Sequence, residues 1–97
     1  MVILPFDKEK LIEICSQNDV TKIGVFGSMV RGEATAQSDI DLLVYFGKPK
    51  SLLNVVALER QISKALGRKV DLLTESALSP CLRDKIKAEL VVIYEKG

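Results

Sequence analysis

Two aspartates one residue apart, Asp39 and Asp41, open the stretch DIDLLVYF, whose other members are Ile, Leu, Val, Tyr and Phe. Read as a β-strand, the stretch sends both carboxylates to one side and Ile40 and Leu42 to the other, because strand side chains alternate. Two like charges that close repel, and one carboxyl takes up a proton unless a cation bridges the pair. The chain contains no histidine, and Cys15 and Cys81 fall in no metal or redox spacing. A bridging ion would therefore be a hard one held by oxygen, Mg²⁺ or Mn²⁺ rather than zinc. By itself an Asp-x-Asp pair is short and common, and its plain reading is a loop-capping acid followed by a solvated one.

Two further features give the pair a chemistry. Gly27-Ser28 closes the upstream stretch TKIGVFGS and opens a helical turn. That arrangement offers backbone N–H groups and a hydroxyl to an anion, with glycine permitting close approach. Asp71 lies between Val70 and Leu72 in RKVDLLT, again an acid inside an apolar strand. If that strand neighbours DIDLLV, then Asp39, Asp41 and Asp71 form a three-carboxylate cluster facing the turn. Together these features describe a site that holds a nucleoside triphosphate through metal ions. Arg31, one turn after Ser28, is placed either to reach a phosphate oxygen or to shape the loop by pairing with Glu33 or a neighbouring acid.

The elements that must position these residues follow from periodicity and end signals. DKEKLIEICSQN suits a helix capped by Asp7, with Leu11, Ile12, Ile14 and Cys15 at helical spacing. TKIGVFGS is a strand, MVRGEA a helical turn ended near Gly32, and TAQS a loop. DIDLLVYF is the second strand, stopped by GKPK. SLLNVVALERQISKAL is a helix with Ser51 as N-cap and Gly67 as its terminator. RKVDLLT is the third strand, a helix runs from about Pro80 to Glu89, and LVVIYE closes as a strand or extended tail. The order α-β-α-β-α-β-α-β gives an α/β (α+β) fold, a small mixed sheet with helices packed mainly on one face. The face holding Asp39 and Asp41 is expected to open onto water or a ligand, since strands covered on both faces are apolar throughout.

Composition narrows the classes. At 97 residues the chain is expected to form one domain, 1–97. Apolar residues make up 47% and charged ones 28%, the profile of a soluble globular protein. No apolar run approaches the roughly 18 to 20 residues that cross a bilayer. MVILPF is too short for a signal segment and lacks a basic start. A cytoplasmic location is expected, with two buried or inert thiols. The net charge is +1, from 14 basic and 13 acidic residues, whereas proteins that grip long nucleic acids carry a basic excess. Without histidine, a hydrolytic triad or a zinc site is excluded.

Gly27-Ser28, the residues Met29 through Ser38, and then Asp39-Ile40-Asp41 match the signature of the nucleotidyltransferase fold of the DNA polymerase β superfamily. Asp71 in VDLL resembles its third acid. SxxRGEAxxxSDIDLLV, KVDLLT and SPCLRDKIKAELVVIYE are similar to the minimal nucleotidyltransferases of prokaryotes, so the resemblance spans nearly the whole chain. It implies Mg²⁺-dependent transfer of AMP from ATP with release of pyrophosphate. It further implies roles for each residue. Gly27 and Ser28 bind the leaving phosphates, Asp39 and Asp41 hold two Mg²⁺ ions, and Asp71 binds the catalytic ion and helps deprotonate the acceptor hydroxyl. Minimal members commonly pair with a helical HEPN-type protein as the antitoxin of a toxin–antitoxin module. Some transfer AMP to a tyrosine of that partner.

A reading from a different class is a binding subunit that neutralises its partner by contact, holding nucleotide without turnover; three intact acids favour the enzyme. Transfer to a small molecule or an RNA end is a further alternative, disfavoured by the near-neutral charge and the lack of an added acceptor domain. Self-association stays open. In SLLNVVALERQISKAL the stripe Leu52, Val55, Leu58, Ile62 and Leu66 is expected to face the sheet. Leu53 and Val56 fall outside it, either packing under another part of the chain or docking a partner.

Overall fold

A computed structural model of the chain describes residues 6–33, 35 and 38–96. Part of the opening MVILPF, Ala34 at the end of MVRGEA, and Ala36 and Gln37 of the loop TAQS lie outside the described residues. The described elements are α1 (Lys8–Ser16), β1 (Val20–Phe26), α2 (Ser28–Arg31), β2 (Ile40–Phe46), α3 (Leu52–Leu66), β3 (Val70–Thr74), α4 (Pro80–Glu89) and β4 (Val91–Glu95). A 3-10 helix over Glu75–Ala77, which the sequence reading did not include, joins β3 to α4.

The helix ends are the expected ones. Asp7 accepts from the Lys10 N–H at 3.0 Å. Ser51 and Asn54 cap each other reciprocally, side chain to backbone in both directions. Gly67, with φ 67°, ends α3 in the left-handed region. The Ser79 side chain caps α4 directly before Pro80.

The four strands form one mixed sheet in the order β3-β2-β1-β4. β1 runs antiparallel to both β2 and β4, while β2 and β3 are parallel. Parallel strands need a crossover, and α3 provides it. Two side chains of α3 also bond the β3 backbone, Glu59 accepting from the Leu72 N–H at 2.8 Å and Ser63 from the Val70 N–H at 3.1 Å. Such covering of an edge strand blunts its tendency to pair with another chain.

The main core lies between the sheet and α1–α3. It contains Leu11, Ile14 and Cys15 of α1, Met29 of α2, Leu58 and Ile62 of α3, and Ile40, Leu42 and Val44 of β2. Burial pushes the Cys15 thiol up to about 12, so it stays protonated and inert, whereas Cys81 is exposed. Leu52 departs from expectation: it is 78% exposed, so the apolar stripe of α3 meets the sheet only from Val55 onward.

The other face corrects a second expectation. α4 and the 3-10 segment cover its middle, where Phe26, Leu43, Leu78 and Ile86 form a smaller core. Alternation along β2 puts Leu43 on the same side as Asp41. The carboxylates therefore stand at one end of a partly covered face rather than on an open one.

Candidate active site

β1 ends at Phe26, and the backbone turns sharply at Gly27, whose φ of 78° and ψ of −148° suit glycine. Any Cβ there would overlap Oδ2 of Asp41, so the absence of a side chain lets β2 bring that carboxylate against the turn. α2 starts at Ser28. The Val30 and Arg31 amides both donate to the Gly27 carbonyl at 3.1 Å, and those of Ser28 and Met29 precede this first intrahelical bond. Gly32, with φ 76°, ends the turn.

The parallel register sets Asp41 directly beside Asp71. Asp41 is half-buried, and its pKa is raised, first by burial and then by the charges of Asp71 and Asp39 and a hydrogen bond with Asp71; Arg31 opposes the rise. Asp41 and Asp71 thus stand side by side at the turn, and the strand pairing is what brings them together.

Asp39 precedes β2 and is placed by the two residues that lead into β3. The Arg68 guanidinium donates through Nη2 to the Thr35 and Ser38 carbonyls at 2.9 and 2.6 Å, and the Ile40 N–H donates to the Lys69 carbonyl at 3.0 Å. Lys69 Nζ pairs with Asp39 Oδ2 at 3.6 Å. Among the described residues no group of three or more His, Cys, Asp or Glu side chains is gathered closely enough to hold a metal ion. The three-carboxylate cluster expected from the sequence is therefore realised as an Asp41–Asp71 pair, with Asp39 held by Lys69. This ion pair is exposed, with Lys69 at 71% and Asp39 at 42%, and such pairs contribute about 0–1 kcal/mol. Little opposes a swing of Asp39 toward its neighbours. The donor set is all oxygen and carries excess negative charge, which fits a hard divalent cation.

Arg31 makes the ion pair with Glu33 that the sequence allowed for. Its Nε donates to Glu33 Oε1 at 2.7 Å, and its Nη1 lies 3.2 Å from Glu89 Oε2. Glu89, which the sequence reading placed only as a helix end, also accepts from the Gly27 N–H at 3.0 Å. One signal pointed to it: an acid on the last turn of a helix opposes the helix dipole, so Glu89 needed a partner elsewhere.

A cavity of about 690 Å³ lies at the far ends of β2 and β3, lined by residues that include Tyr45, Phe46, Lys50, Leu52 and Glu75. None of the residues of the acid site lines it.

The family "Polymerase beta, Nucleotidyltransferase" matches the chain over residues 9–97. Protein adenylyltransferase MntA of Thermococcus cleftensis is 41% identical over 81 residues, spanning 84% of this chain and 82% of that protein. A crystal structure of a toxin–antitoxin with AMP-PNP superposes with a TM-score of 0.83 at 23% identity, covering 93% of this chain and 74% of the matched one. A structure of a tri-AMPylated Shewanella oneidensis HEPN toxin in complex with an MNT antitoxin superposes with a TM-score of 0.73 at 21% identity, covering 92% and 70%. At these identities the two structures speak for the fold, while the family match and the Thermococcus relative speak for descent. The glycine turn, the paired acids and the strand order that joins them thus sit in a chain that belongs to the polymerase β nucleotidyltransferase family.

Proposed function

We propose that the protein transfers AMP from ATP to a hydroxyl of a HEPN-type helical partner, a tyrosine in the favoured case, and so acts as the antitoxin of a toxin–antitoxin pair in the cytoplasm. The observation that carries this reading is the Asp41–Asp71 pair set against the Gly27 turn. Support for the acceptor class comes from the adenylyltransferase name of the Thermococcus relative and from the AMPylated HEPN complex of similar fold.

In this reading Gly27 and Ser28 hold the β and γ phosphates, and Arg31 stands beside them. The acceptor oxygen attacks the α-phosphorus, the bond from that phosphorus to the bridging oxygen breaks, and pyrophosphate leaves with the electron pair. Asp71 takes the hydroxyl proton. Asp39, Asp41 and Asp71 would hold two Mg²⁺ ions, which supply charge neutralisation for the triphosphate and for the developing negative charge.

The test is incubation of the protein with labelled ATP, Mg²⁺ and a HEPN-type partner, followed by mapping of the label. Label on a partner tyrosine, absent with Asp71→Asn, is the expected result. A partner that is neutralised equally well by Asp41→Asn, without label, would instead establish inhibition by contact. The absence of both label and neutralisation rejects the partner assignment.

A further inference from the structure

The backbone explains why Glu89 meets the nucleotide turn. β1 and β4 pair Gly24 with Val92 and Val25 with Val91, and the same antiparallel register carried onward sets residue 89 opposite Gly27. Residue 89, however, is the last residue of α4, so its carbonyl is not presented as a strand's would be. The side chain takes over. Its Oε1 accepts from the Gly27 N–H at 3.0 Å and lies 3.3 Å from Arg31 Nη1, while Oε2 lies 3.2 Å from the same nitrogen. A Cβ on Gly24 would overlap the Leu90 side chain, so glycine there lets the α4–β4 junction seat close to β1.

The carboxylate thus ties together two groups of the site, the amide of the turn and the guanidinium one helical turn later. Its side chain is only 25% exposed, and Glu33 holds the same guanidinium from the other side at 2.7 Å. Two anchors fix a long, otherwise flexible side chain before any ligand arrives, which lowers the ordering cost of binding. We propose that Glu89 is a positioning residue for nucleotide binding, acting through the Gly27 amide and Arg31 from the α4–β4 junction.

The proposal rests on the nucleotide reading of the turn and is tested by calorimetric titration of the full chain with ATP and Mg²⁺. Glu89→Ala is expected to weaken binding about tenfold, as for loss of a hydrogen bond to a charged group. Glu89→Gln keeps an oxygen acceptor for both donors and is expected to recover most of that loss. Adding Glu89→Ala to Arg31→Ala should cost clearly less than the roughly tenfold it costs alone, the remainder being what Glu89 does through the Gly27 amide, because residues acting through one another are non-additive. A purely structural role would lower the melting temperature while leaving ATP affinity unchanged, and that result overturns the proposal. Tighter binding by Glu89→Ala or Glu89→Gln also overturns it, by revealing a resident anion that competes with phosphate. If Glu89→Ala does not fold, Glu89→Asp, too short to span both donors, replaces it with the same expectation. A wild-type protein that binds no ATP overturns the nucleotide reading itself, which separates the two failures.

Discussion

Asp41 and Asp71 face each other on adjacent parallel strands, close enough for a hydrogen bond that one of them can make only while protonated. Burial and the neighbouring charges raise the Asp41 pKa, so the folded chain holds that proton more tightly than the unfolded one. The unfolded chain gives up its proton first as pH rises. Stability from this group is therefore lost upward from the ordinary aspartate range of about 3.9, until the folded carboxyl has also ionised. In a chelating buffer the melting temperature of the wild type should fall, relative to Asp41→Asn, as pH rises through that window. Comparison with the variant is needed because Asp19, held low by Lys50, contributes the opposite slope. Added Mg²⁺ should flatten the difference by neutralising the ionised pair. Parallel melting curves for the two proteins at every pH would show that the pair is not coupled in solution.

Asp39→Asn and Asp41→Asn should each abolish AMP transfer while preserving the fold, since neither carboxylate belongs to the apolar core. Loss of one metal carboxylate removes several kcal/mol of charge stabilisation from the transition state. Transfer assays with circular dichroism as the folding control check this. Near-wild-type transfer by either variant removes that residue from the site.

Gly27→Ala combines two penalties, a positive φ and a Cβ driven into Asp41. A destabilisation of about 2 kcal/mol or more is expected, with loss of nucleotide binding. Denaturant melts and ATP titration measure the two separately. Gly32 has a similar φ but open space around it, so Gly32→Ala should keep nucleotide binding and lose only the backbone term.

Leu53 is 80% exposed, beside Leu52 at 78% and half-exposed Val56. It contributes little to the fold, and substitutions at such surface positions usually change stability by within about 0.5 kcal/mol. Apolar centres with charged rims favour protein interfaces. Leu53→Lys should weaken capture of a HEPN-type partner with the melting temperature nearly unchanged. Full retention of partner binding would move the interface to another face.

The sequence alone determined the helices and strands, though not the 3-10 segment after β3, and which side chains are capable of chemistry. Helical spacing, the caps Asp7 and Ser51, the terminator Gly67 and the Pro80 start are local signals, since capping and periodicity act within a few residues. The same holds for Gly27-Ser28 and for two acids alternating with apolar residues. Asp71 stands out in the sequence by its apolar neighbours, but only the parallel pairing of β2 with β3 puts it beside Asp41. Glu89 lies far from Gly27 in the chain, and only the β1–β4 register brings the two together. Lys69 reaches Asp39, and α4 covers part of the acid-bearing face, for the same reason. Strand order is settled by burial summed over the whole chain, so no short window of sequence contains it. Sequence fixed which side chains are capable of the chemistry, and tertiary structure decided which of them meet.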